Sequence, residues 1–259
     1  MTDVRAPACS PDGKLIACSR PTDGRSDILV FDVVSYATRL VAQDEASEDC
    51  PAWNPQGTRI AFHSDRLGSE DIYAIPVEGG EAKRLTKSPG FEGFPAWSPD
   101  GKRMAYQSDA RGQWDIWVMD ADGDHKTPLT SDHANDTTPA WSPNGRQIAF
   151  GSTRGGSSDI WVMDVEGGSL KRLTRDTDDE WRPAWSPDGK RIAYVRSDGV
   201  QAHIWLMNAD GSSQRPLTGG DGRYYDPSWS PDGKRIACER WDPKQTQIGW
   251  VRPAPDQQP

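Results

Sequence analysis

The sequence predicts an all-β chain folded as a six-bladed β-propeller of four-stranded antiparallel blades, the last blade three-stranded. Three observations predict it. Pro7, Pro51, Pro95, Pro139, Pro183 and Pro227 recur at one fixed spacing, with no insertion or deletion between copies. Each copy divides into short segments rich in β-branched and aromatic side chains, bounded by Gly, Pro or Asp. No stretch carries a helical period. Four antiparallel strands per repeat of roughly 40–45 residues make a propeller blade, and twisted sheets packed face to face fan around an axis. The expected blades are residues 7–50, 51–94, 95–138, 139–182, 183–226 and 227–259, in a single propeller domain over 1–259.

Strand A of each copy begins Pro-Ala-Trp or Pro-Ser-Trp, placing Trp53, Trp97, Trp141, Trp185 and Trp229 in one column; Cys9 fills it in the first copy. One flat side chain per blade suits the wedge between neighbouring sheets, and Trp117, Trp161 and Trp205 on strand C extend the same argument. Ser-Pro-Asp-Gly (residues 10–13, 98–101, 186–189 and 230–233) is a tight turn: Pro sets one φ and Gly supplies a positive one. Lys-Arg-Ile-Ala-Tyr (190–194) exemplifies strand B, and Asp-Ile-Trp-Val-Met (115–119 and 159–163) strand C. Ala-Asp-Gly or Glu-Gly-Gly turns follow, then a strand D ending in Leu-Thr at 85–86, 129–130, 173–174 and 217–218. The sixth copy reaches Pro259 where its strand D would begin. Its tail, 252–259, reads as a linker, hence the three-stranded blade.

Ser-Pro-Asp-Gly-Lys-Arg-Ile-Ala, followed by Asp-Ile-Trp-Val-Met-Asp-Ala-Asp-Gly and Leu-Thr, resembles the repeat of the TolB-type propellers across residues 7–252. The resemblance implies a six-bladed ring that binds or gates rather than reacts, as related propellers do when attached to kinases and serine peptidases. It covers the propeller alone; the α/β domain that precedes it in TolB has no counterpart here. The family leans periplasmic. The opening MTDVRAPACS has no charged-then-apolar leader, so the chain as it stands reads as cytoplasmic, and as periplasmic if a leader or upstream domain has been removed.

Composition narrows the function. Lys and Arg total 30 against 39 Asp and Glu, a net charge of −9, which disfavours nucleic acid and anionic membranes. No apolar run approaches the ~20 residues of a membrane-spanning helix, so no membrane insertion is expected. Cys9, Cys18, Cys50 and Cys238 have no metal or redox spacing and read as small apolar fillers. Serine-hydrolase, zincin and phosphate-loop motifs are absent. Asp120-Ala-Asp122-Gly-Asp124 begins like a calcium loop but occupies the C–D turn column and reads as a turn. Of the four histidines, His203 replaces the Asp that opens strand C, His63 closes strand B of blade two, and His133 lies between Asp132 and Asp136.

Topology sorts the loops. The A–B and C–D turns share one face and hardly vary between copies; the B–C and D–A loops share the other and differ in every copy, so function is expected there. The five D–A connections hold 13 acids against 4 bases, whereas the B–C loops lean basic, which reads as an acidic mouth within a more basic surround. Glu48, Glu92, Asp136 and Glu180 share the column three before Pro. As a ring around the axis they could hold a divalent cation or the Lys or Arg of an inserted peptide, or simply form a solvated acidic rim. Trp114, Trp181, Arg182, Arg223, Tyr224, Tyr225 and Trp241 join them as candidate binding residues, because exposed Trp, Tyr and Arg anchor interfaces. No cofactor is expected apart from that cation. The expected function is non-enzymatic binding of a protein or peptide, one with a basic segment, over this face. A metal-dependent propeller lyase or hydrolase at the axial mouth is one alternative, and a repeat scaffold with no evolved ligand is another.

Overall fold

The computed structural model describes residues 3–166 and 168–253. Its strands are β1 (Arg5–Cys9), β2 (Leu15–Thr22), β3 (Arg25–Asp32) and β4 (Thr38–Ala42) in blade one, and β5 (Glu48–Trp53), β6 (Arg59–Ser64), β7 (Asp71–Pro76) and β8 (Lys83–Arg84) in blade two. Blade three has β9 (Glu92–Trp97), β10 (Arg103–Ser108), β11 (Asp115–Asp120) and β12 (Thr127–Pro128); blade four has β13 (Asp136–Trp141), β14 (Gln147–Ser152), β15 (Asp159–Asp164) and β16 (Leu170–Arg172). Blade five has β17 (Asp179–Trp185), β18 (Arg191–Ser197), β19 (Ala202–Asn208) and β20 (Arg215–Pro216); blade six has β21 (Arg223–Trp229), β22 (Ile236–Asp242) and β23 (Gln245–Val251). Five sheets have four antiparallel strands and the sixth has three, as the sequence predicts. The tail beyond residue 253 lies outside the described residues. No helix among them is long and apolar enough to cross a membrane.

The repeated columns each have a local cause. In the A–B turn the Ser98 hydroxyl donates to Asp100 at 2.6 Å and accepts from the Arg103 N–H at 2.9 Å, while Gly101, at φ 71°, donates its N–H to the Ser98 carbonyl. The Leu-Thr column terminates the blade: Leu85 N–H donates to the Ile72 carbonyl at 2.8 Å, and the Thr86 hydroxyl accepts the Ile72 N–H at 2.8 Å. Thr130, Thr174 and Thr218 do the same for Ile116, Ile160 and Ile204. Strand D therefore needs only two or three paired residues in blades two to five.

The apolar core lies between blades rather than within them. Ile28 and Val30 of blade one pack on Ile60, Phe62 and Tyr73 of blade two. Equivalent clusters follow around the ring, and the last joins Val4, Ile16 and Leu29 to Ala237, Ile248 and Trp250, closing blade six on blade one. The indole column bridges these seams. Trp53, Trp97, Trp141 and Trp229 donate Nε1–H to the carbonyls of Ala8, Ala52, Ala96 and Ala184 in the preceding blade, at 3.0–3.2 Å. Arg59, Arg103 and Arg191 cover Trp97, Trp141 and Trp229 from that blade. On strand C, Trp161 and Trp205 instead lie under Arg154, on a B–C loop, and Arg196, near the end of β18.

Candidate functional site: an axial chamber at the variable face

Every innermost strand carries the same irregularity. Asp49 pairs with His63 and Ala52 with Ala61, so strand A advances three residues while strand B advances two; the same slip occurs in all six blades. It is a β-bulge at the residue before Pro. Ala6, Cys50, Phe94, Thr138, Arg182 and Asp226 occupy that position, all at φ between 50° and 54°. Left-handed backbone at six non-glycine residues, each followed by Pro, is costly and persists only where the surroundings hold it. Neighbouring blades do so through hydrogen bonds to the bulge N–H groups. Cys50 donates to the Ser19 hydroxyl (3.2 Å), Thr138 to the Gln107 side-chain carbonyl (3.0 Å), Ala6 to the Glu239 carboxyl (3.3 Å) and Arg182 to the Thr138 hydroxyl (3.2 Å).

The bulge turns these six side chains to the axis. With the six prolines they line a narrow waist of about 180 Å³. On the side of the variable loops the channel widens into a chamber of about 420 Å³. It is lined by Arg5, Asp49, Trp181 and Tyr225, two before Pro; by His63 and Glu239, cross-strand partners of Asp49 and Tyr225; by the bulge residues Ala6, Cys50, Phe94, Arg182 and Asp226; and by Phe91.

Its charges are arranged in pairs. Arg182 forms a short ion pair with Asp226 and lies 4.8 Å over the Phe94 ring. Arg5 meets Asp49 at 3.1 Å. Glu239 has no cation within 4.0 Å among the described residues; burial, then Asp226, pushes its carboxyl up to about 7. Burial also raises Asp226. Burial lowers His63 to about 4, so its imidazole is neutral at neutral pH. Its Nε2 lies 3.9 Å from Glu70, and its Nδ1 is buried without a hydrogen-bond partner. Phe91 and Phe94 flank the ring at 5.4 and 5.5 Å.

Of the sequence candidates, Trp181, Arg182 and Tyr225 come together here. Tyr224 packs against His203 beneath the loops, and Trp114 stands edge-on to Phe91. Trp241 caps the B–C hairpin of blade six with Arg223 stacked on it at 5.1 Å.

The expected carboxylate ring is corrected. Glu48, Glu92, Asp136 and Glu180 are buried and line neither axial cavity. Pairing Glu48 with Ser64 and Asp136 with Ser152 sets their side chains on the opposite strand face from the column that lines the chamber. Burial raises all four, to about 8 for Glu48 and about 7 for Glu180. Nor does the basic surround stand apart from the acidic mouth. Arg66 pairs with Asp44 and Glu48, Arg154 with Asp132 and Asp136, and Arg196 with Asp176 and Asp178, all at 2.7–3.2 Å. Each arginine folds back over the acids of its own blade and neutralises them. Among the described residues no three His, Cys, Asp or Glu side chains converge as metal ligands.

The sequence reading passed over Arg5, Asp49, Cys50, Asp226 and Glu239 as site residues. One signal could have found the axial column. The residue before each repeated Pro is Ala, Cys, Phe, Thr, Arg or Asp, and the one before that is Arg, Asp, Gly, Thr, Trp or Tyr, two positions without any repeat in an otherwise repetitive strand.

The TolB β-propeller domain family matches residues 2–90 and 85–251 of this chain. A structure assigned as TolB from Agrobacterium tumefaciens is 27% identical with a TM-score of 0.80, over 95% of this chain and 90% of that one. TolB from Acinetobacter baumannii is 24% identical with a TM-score of 0.77, over 88% of this chain and 57% of that protein's chain. An oligogalacturonate lyase solved in complex with manganese shares the fold at 17% identity and a TM-score of 0.68, over 96% of this chain and 77% of the lyase. No curated protein matches the chain in sequence.

Proposed function

The chain belongs to the TolB β-propeller family, and from that premise we propose that it is a non-catalytic propeller that binds a segment of a protein or peptide partner in its axial chamber and on the surrounding loop face. TolB-type propellers commonly bind proteins. The observation that carries the reading is the chamber's lining. It is drawn from the columns that differ in every blade, while the columns that build the blades repeat. A volume of about 420 Å³ falls in the range of ligand pockets and accommodates a few side chains of an inserted segment.

The rim supports the same reading. Leu67 (63% exposed) and Val200 (65%) are large apolar side chains on the B–C loops of blades two and five, and Trp241 (37%) stands near the end of β22 beside the B–C turn of blade six, all on the chamber's face. Scattered exposed apolar residues are ordinary, but three around one opening suit a partner laid across it. The rigid ring holds these loops in place, so little ordering entropy is lost on binding. A metal-dependent lyase reading finds less support, since the chamber's carboxyls are taken up with arginines and with one another.

The test is selection of a random-peptide display library on the immobilised protein. Enriched peptides that compete with one another, and that lose binding to Trp181→Ala and Tyr225→Ala variants, support the reading. No enrichment, or peptides indifferent to both substitutions, overturns it.

A further inference from the structure

We propose that the axial chamber receives one cationic head, an alkylammonium or guanidinium, with Glu239 as its counter-ion. The inference rests on the partner-binding reading and names the chemistry that the chamber selects. Its two arginines are already matched, Arg5 to Asp49 and Arg182 to Asp226. Glu239 alone among the chamber's acids has no cation within 4.0 Å; its neighbours are the Ala6 N–H and the Asp226 carboxyl, which is within hydrogen-bonding reach, while Arg182 and Arg5 act on it from farther off. Two blades round the ring from Glu239, His63 adds a group with an unmet acceptor or donor. His63 is 7% exposed, and its Nδ1 has no partner. A neutral imidazole has one acceptor nitrogen, and in the tautomer that leaves Nδ1 unprotonated this group suits a donor-only head. The aromatic walls complete the setting, and the chamber already seats one guanidinium in this way: Arg182 lies on Phe94 beside Asp226.

Without a cation, Glu239 and Asp226 share a proton, because burial and their mutual repulsion disfavour two charges. The charged and titratable groups that line the chamber with Glu239 are Arg5, Asp49, Cys50, His63, Arg182, Tyr225 and Asp226. His63 stays neutral above about pH 4, and the arginines stay charged, so of the groups lining the chamber the carboxyl pair titrates near neutrality, as Glu70 does beside His63. Seating a cation releases its proton, and binding strengthens as pH rises. With Glu239 at about 7, its ionised fraction rises roughly tenfold between pH 6 and 8, and affinity should follow.

The test is calorimetric titration of the wild-type protein with agmatine, a free guanidinium, and with the capped tripeptide acetyl-Gly-Arg-Gly-amide, at pH 6 and 8. Both should bind, about tenfold tighter at pH 8, with proton release seen as a buffer-dependent enthalpy. Glu239→Gln should weaken binding at least about tenfold. This variant keeps the acceptor for the Ala6 N–H, as Gln107 does for Thr138 in the same column, so it should fold; a thermal melt at pH 6 checks that. Tighter binding of the tripeptide assigns the head to a polypeptide partner, and tighter binding of agmatine assigns it to a free amine. Neither ligand saturating at about 10 mM, or an affinity indifferent to pH or to Glu239→Gln, overturns the proposal. Library-selected peptides that need Trp181 and Tyr225 but bind Glu239→Gln equally well would overturn it while leaving the partner-binding reading intact.

Discussion

Arg182 crosses the axis of the ring: from blade five it reaches within 4.0 Å of the Cys50 sulfur on blade two, three blades away and therefore on the opposite wall. On the way it pairs with Asp226 and covers Phe94. All four residues belong to the bulge column and line both the chamber and the waist. They form a crossbar where the chamber meets the waist.

Breaking the crossbar on one side strands a charge. Arg182→Met should cost roughly 3 kcal/mol at pH 8, because Asp226 is left buried without its cation. Arg182→Met with Asp226→Asn should recover most of that loss. The single variant's cost should be smaller at pH 5, since burial already favours the protonated form of Asp226 and losing Arg182 favours it further. Urea denaturation at both pH values reads the difference; an equal cost at both would mean that Asp226 does not depend on Arg182.

The indole column fixes the spacing between blades. Trp141→Ala should destabilise by about 3–5 kcal/mol, losing its packing, the bond to the Ala96 carbonyl and the cover from Arg103. Trp141→Phe should cost less, keeping most of the apolar contact and losing the hydrogen bond. Denaturant melts of the two variants test the order; a near-neutral Trp141→Ala would mean that the seam can close without the indole.

Buried carboxyls set the response to pH. Glu48 is raised to about 8, and Glu70, Glu180 and Glu239 to about 7, chiefly by burial. Each is ionised in the unfolded chain above its usual value near 4.5 but keeps its proton longer in the fold, so stability falls as pH rises through 7–8. Below about pH 6.5 His63 opposes the trend, because its folded value is lowered to about 4 and acid favours the unfolded form. The clean window is therefore about pH 6.5–8.5, where the melting temperature should decline steadily, and less steeply in Glu48→Gln. A melting temperature that rises across this window would show the carboxyls to be ionised in the fold.

The blades were legible in the sequence because each repeated column answers a local backbone need. Pro and Gly make the turn, Ser98 and its equivalents close it, Thr86 and its equivalents finish strand C, and Trp141 and its equivalents span the seam. Six copies state each need six times over. The site was less legible for two physical reasons. The bulge uses left-handed backbone at Ala, Cys, Phe, Thr, Arg and Asp, none of which announces that conformation, so the column three before Pro reads as a ring at the mouth, whereas Glu48 and Glu180 are buried. Charge counting by loop also treated Arg66, Arg154 and Arg196 as a separate basic zone, when each folds over the acids of its own blade. Residues such as Glu239 became visible only once cross-strand pairing with Tyr225 set them beside the axis.

Mapping the binding face tests the central claim most directly. Fluorescence anisotropy of one library-selected peptide would be measured against two sets of variants: Trp181→Ala, Tyr225→Ala and Trp241→Ser on the chamber's face, and Val34→Ser and Tyr36→Ser, both exposed on the C–D turn of the other face. The dissociation constant should rise at least about tenfold across the first set and stay within about twofold across the second. Loss of binding in the second set, with the first set unaffected, would place the partner on the opposite pole and contradict the account.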